Sequence, residues 1–151
     1  MKILLAIDGS ESSEAAVRAV TIRPWPAGSS VRVLSVAQPV YPPANPLFPE
    51  VAVTAEYREI TARVTAEAKK LTDEQADVIG RNKAVTVDTT VRQGDPRVEI
   101  VDEAERWGAD LVILGSHGRT GVKRWLMGSV AEYVVRHAPC SVEVARAAIK
   151  P

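Results

Sequence analysis

Between Leu114 and Ala131 the chain reads GSHGRTGVKRWLMGSV, with Gly115, Gly118 and Gly128 at fixed spacing and Ser129 directly after the last. A residue without Cβ lets main-chain amides approach a ligand closely and admits positive φ, so Gly115 and Gly118 are expected to bend around one. Arg119 adds a forked, charge-assisted donor. Gly128-Ser129 then opens a helix, whose first amides and positive dipole end favour an anion, with the Ser129 hydroxyl beside them. Taken singly, a glycine means a turn and a serine means a cap. The whole spacing, Gly-x2-Gly-x9-Gly-Ser, asks for more, because a turn needs no second glycine-serine pair ten residues later. It describes a phosphate cradle.

Other chemistries fit less well. Asp8 ends the first apolar run and has two readings, a cap for the following helix or a group facing a ligand across from the glycines. His117 is read as a loop contact to ligand or solvent, since two histidines in the chain form no metal cluster. His137 falls in a last helical turn, where a cation is favourable. Ser116-His117 lacks the GxSxG elbow of a nucleophile–base pair, and no GxxxxGK[ST] occurs. The glycines at three-residue steps follow the fourth strand, unlike the dinucleotide GxGxxG after a first strand. Cys140, the sole cysteine, excludes an internal disulfide and reads as packed filler. Trp25 and Trp107 read as core or interface; Trp125 lies within the glycine segment.

The elements that must position these residues alternate. Lys2–Ile7 is a short apolar run ended by Asp8-Gly9, expected as a strand buried on both faces. Ser30–Val36, Ala84–Val91, Leu111–Leu114 and Ser141–Val144 are further strands, with the β-branched content strands prefer. A helix starts after cap choices at Ser10 and Ser13, and a long amphipathic one spans roughly 51–79. Asp95-Pro96 caps a third that runs to Trp107 and stops at Gly108, and a fourth covers Ser129–His137. The expected fold is a single-domain α/β protein over residues 1–151. Its doubly wound, five-stranded parallel sheet runs in the order 3-2-1-4-5, with helices on both faces. Its carboxyl-end tips gather Asp8, Val36, Gly94 and Gly115, where such sheets bind ligands. Segment 38–49 (QPVYPPANPLFP) holds five of the ten prolines and must be loop or lid.

Composition narrows the class. Nineteen basic and nineteen acidic side chains cancel, and pI is near 6.7. That gives no basic face for nucleic acid; the densest positive stretch, Arg119–Arg124, holds three cations and suits one phosphate group. No apolar stretch approaches the roughly 18 residues of a membrane span, and MKILLAIDGS turns polar too early for a signal peptide. A reducing, cytoplasmic setting fits a lone cysteine.

Gly115-x2-Gly118-x9-Gly128-Ser129 after an apolar strand resembles the nucleotide signature of the ATP-binding branch of the universal stress protein family. The opening KILLAIDGSESSEAAVRAV, the RQGDP of Arg92–Pro96 and the closing HAPCSVEVAR resemble that family as well, so the likeness spans essentially the whole chain. The resemblance implies ATP, with Mg2+ or Mn2+, as ligand. It implies that Ala6, Ile7, Gly9 and Ser10 border the adenosine and that Asp8 faces the ribose or a phosphate-bound metal. Val36 would offer backbone bonds to the adenine edge. Gly115, Ser116, His117, Gly118 and Arg119 would wrap ribose and phosphates, and Gly128, Ser129 and Val130 would hold the β/γ region. It also implies a homodimer through the edge strand Ser141–Val144. Ser141 stands where the family often has a second proline.

The expected function is therefore an ATP-binding regulatory stress-response protein acting as a nucleotide-dependent homodimeric switch. Two alternatives stay open: a weak ATP hydrolase, and an interaction protein working through the proline-rich loop 38–49.

Overall fold

Tight apolar segments set the centre of the molecule. In the computed structural model, which describes residues 1–39, 55–81, 84–118 and 127–147, β1 (Lys2–Ala6) has Ile3, Leu4 and Leu5 fully buried. Each such side chain contributes roughly 1.5–3 kcal/mol by leaving water. α1 (Glu11–Ile22), β2 (Ser29–Ala37), α2 (Ala55–Gly80), β3 (Val85–Gln93), α3 (Pro96–Trp107), β4 (Leu111–Gly115), α4 (Ser129–His137) and β5 (Ser141–Ala145) follow. The five strands form one parallel sheet in the order β3-β2-β1-β4-β5, as expected.

Alternation along the strands builds two cores. Ile3, Leu5, Val31, Val33 and Ile113 point to the side of α1 and α2, packing on Val17, Val20 and Ile79. Leu4, Leu34, Val112 and Leu114 point the other way, onto Ile100 and Ala104 of α3 and Ala131 and Val134 of α4. β3 is less buried than β1. As an edge strand it is mostly half-exposed, and Asp88 and Arg92 lie along it.

Helix ends follow local chemistry. Ser10, not Asp8, caps α1, its side chain accepting from the Ser13 amide. Asp95 caps α3 by accepting from the Arg97 amide, with Pro96 in the first turn, and Gly108 closes that helix at φ 69°. The Arg97 side chain and amide hold the Asp95 carboxyl below its ordinary range. Trp25 is a core filler whose indole N–H donates to Val20 O at 2.8 Å. Arg119, Lys123, Arg124, Trp125, most of segment 38–49 and positions 51–54 of the expected long helix lie outside the described residues.

Candidate functional site

The strand order reverses between β1 and β4, and there the carboxyl ends of β1, β2 and β4 open into a cleft of about 510 Å³. Its floor comes from Ala6 at the end of β1 with Ile7 and Asp8 after it, Leu34–Ala37 in β2, and Leu114 with Gly115–Gly118 at β4. Gly128, Ser129, Val130 and Ala131 form one wall, Pro96 and Ile100 of α3 another, and Val64, Glu67 and Ala68 of α2 a third. Most of the predicted site is thus brought together. Gly9 and Ser10 fall outside the lining: the Gly9 amide donates to Ser13 Oγ, and Ser10 Oγ donates to His117 O. A second depression of about 460 Å³, between the end of α2 and β3, holds none of the motif residues.

The glycines act differently from the expectation. Positive φ occurs, among the described residues, at Gly9, Gly28, Gly94 and Gly108, and not at Gly115 or Gly118. At Gly115 an added Cβ would stand 2.7 Å from Ser12 C and Ser13 N, so this glycine exists to let α1 close onto β4. At Gly118 the Cβ would sit 3.0 Å from Asp8 Oδ2, which places the Asp8 carboxylate against the glycine segment. Asp8 Oδ1 accepts from the Ser10 amide at 3.0 Å. At Gly128 the Cβ would meet Ser116 O at 3.0 Å and His117 Cα at 3.3 Å. The three absences of a side chain serve packing first, and ligand access only through what that packing shapes.

Donors divide into used and open. The Gly128 amide is turned inward, donating to Ser116 O at 2.8 Å. The first helical bond of α4 runs from Glu132 N to Gly128 O, so the amides of Ser129, Val130 and Ala131 have no acceptor one turn earlier in the helix. Gly128 itself is the N-cap, without a side-chain cap bond, and Ser129 is the first helical residue. Ala131 is an addition the spacing did not flag. His117 Nδ1 lies 3.0 Å from Ser116 Oγ, while its Nε2 is buried with no hydrogen-bond partner among the described residues. A buried polar atom left so asks for a partner.

One cluster escaped the sequence reading. Glu103 of α3, 1% exposed, accepts from Arg32 of β2, from Arg92 of β3 and from Arg106 one turn along. Arg32 also reaches Asp88 at 2.7 Å and lies over the Trp107 ring. Its signal was an arginine inside each of two strand segments, SVRVLSV and the VRQ that ends β3. Among the described residues no three His, Cys, Asp or Glu side chains group to hold a metal, and no helix is long and apolar enough to cross a membrane.

A doubly wound parallel sheet with a cleft at its reversal, faced by open helix amides, defines an α/β ligand-binding fold. The profile of the Universal stress protein family matches residues 1–146, and the chain belongs to that family. It is 34% identical over 148 residues to universal stress protein MJ0531 of Methanocaldococcus jannaschii, covering 96% of this chain and 81% of that one. The solved structure of the protein MJ0577 superposes with a TM-score of 0.82 at 30% identity, covering 99% and 97% of the two chains. A universal stress family protein of Arabidopsis thaliana, solved with AMP bound, shares the fold at TM-score 0.63 and 18% identity, over 98% of this chain and 92% of that one.

Proposed function

We propose that this chain binds an adenine nucleotide, ATP with Mg2+ or Mn2+, in the cleft and works as a nucleotide-dependent regulatory homodimer of the stress response in the cytoplasm. The observation that carries the reading is the set of open α4 amides at Ser129, Val130 and Ala131 on one cleft wall, with the His117 side chain in the adjoining floor. Free amides at a helix start call for an oxyanion, and a nucleotide supplies several. The residues fit a polyphosphate: three amides at a helix start, room of about 510 Å³, and apolar walls from Val36, Ile100 and Val64 for a base. Asp8 is the one carboxylate among the floor residues, which suits a hard cation held mainly by phosphate oxygens. The AMP-bound Arabidopsis protein shows that the fold accommodates an adenine nucleotide; the reading for this chain rests on its own cleft.

Hydrolysis is not favoured. Phosphoryl transfer to water needs a positioned nucleophile and transition-state cations, and among the described residues no arginine or lysine lines the cleft. Weak ATPase activity at most is expected.

The test is thermal unfolding with and without ATP and Mg2+. At about 100 times Kd a ligand adds about 2.7 kcal/mol, which for this chain length raises Tm by roughly 5–10 °C. Superimposable curves at millimolar ATP refute the reading.

A further inference from the structure

We infer that Ser116, in the floor of the cleft, is a positioning residue that ties the nucleotide cleft to the edge of the sheet. The inference rests on the nucleotide reading and names how occupancy of the cleft reaches β5.

Ser116 is 3% exposed, and each of its polar groups is engaged inside the protein. Its amide donates to Ala145 O, at the end of β5, at 2.7 Å. Its carbonyl accepts the Gly128 amide at 2.8 Å, fixing the cap of α4. Its hydroxyl lies 3.0 Å from His117 Nδ1 and 3.4 Å from Ser12 Oγ at the start of α1. One residue therefore joins the exit of β4 to α1, α4 and β5.

Two of those links touch ligand-facing groups and one touches the edge. The Gly128 link sets where the open amides of Ser129–Ala131 stand, and the hydroxyl link sets the His117 ring. The Ala145 link continues the β4–β5 ladder past its last register pair, Gly115 with Ala145. A polyanion drawing the α4 amides and His117 together loads the Ser116 peptide groups on both sides. The strand that answers is β5, where unpaired edge groups would meet a second copy of this chain. Residues remote from the ligand then gain order without touching it.

Residue-resolved amide hydrogen exchange on the full chain, with and without ATP and Mg2+, tests this. The expected result is slower exchange at Ser129–Ala131, at Gly128 and Ser116, and also in β5, each by about three- to tenfold, the weight of one strengthened neutral hydrogen bond. Slowing in the cleft amides with β5 unchanged overturns the inference and leaves nucleotide binding standing. No slowing anywhere removes the nucleotide reading itself. Gly128→Ala supplies a second arm, since its Cβ would press on Ser116 O. At saturating ATP the cleft amides of this variant should slow while β5 does not. Full slowing of β5 in that variant overturns the route through Ser116. Should the variant fail to fold, the wild-type pattern decides alone.

Discussion

Arg23 grips both oxygens of Glu143 through two parallel hydrogen bonds of 2.7 Å each, across 120 positions of sequence. Arg23 closes α1 and Glu143 sits mid-strand in β5, so the pair fastens the edge strand to the helix above it. The same guanidinium stacks over Trp25. Hydrogen bonding from Arg23, reinforced by its charge and opposed by partial burial, holds the Glu143 carboxyl below the ordinary glutamate range. A lowered folded-state value means stability present above the unfolded-state value, near pH 4, and lost as pH falls through the lower folded one. Both side chains are about a third exposed, so the discounted contribution is about 0.5–1 kcal/mol. Glu143→Gln should flatten the acid limb of a stability-versus-pH curve. An unchanged limb contradicts the assignment.

Glu103 should matter more. Its carboxylate is buried under three arginines, and removing its charge leaves their guanidinium groups crowded at the α3–sheet contact. Glu103→Gln is expected to cost about 3 kcal/mol in urea unfolding, since breaking one partner of a buried ion cluster strands the rest. A loss below about 1 kcal/mol would mean that solvent reaches the cluster and screens it.

The glycines of the motif should separate by what their missing Cβ would strike. Gly115→Ala drives a methyl into the α1 backbone and should destabilise the apo protein by about 1–3 kcal/mol. Gly118→Ala meets, among the described residues, the Asp8 carboxylate, a side chain rather than backbone, so apo stability should fall less than for Gly115→Ala while ATP binding weakens. Calorimetric titration alongside melting distinguishes the two. Equal loss of apo stability in both variants would contradict the packing account.

Cys140 should be a slow thiol. Burial, with the Asp110 charge adding, pushes its ionisation above the ordinary thiol value. Iodoacetamide should label it slowly at neutral pH, with the rate climbing only above about pH 8.5. Rapid labelling at pH 7 would show that the thiol is exposed and ionised.

Much of the sheet and its helices was readable because their signals are local. The β1 run of Ile3–Ala6 is apolar on both faces, and Asp95-Pro96 with Gly108 bounds α3 to the residue. The glycine spacing located the cleft for the same reason: β4 and α4 are each short and sharply ended. What the glycines do was not readable. Gly115 yields to Ser12 and Ser13, more than a hundred positions away, and that proximity exists only after the sheet is wound. Ser116 illustrates the same limit, since a serine in a polar loop carries no mark of having every polar group already taken. Glu103 was missed because its three partners come from separate elements, each innocuous alone. The sequence offers Asp8 as cap or site; Ser10 takes the capping role, and Asp8 lines the cleft.

The two margins of the sheet are unlike. β5 is five residues long and anchored by Arg23 to the helix above, whereas β3 is nine residues long and exposes Thr86, Asp88 and Gln93. A pair formed by joining β5 to β5 presents only β3 on either flank. Further growth there would have to bury the Asp88–Arg32 ion pair and strip its water. In a pair of that kind the ion-paired flank would oppose continued growth of the sheet into fibres.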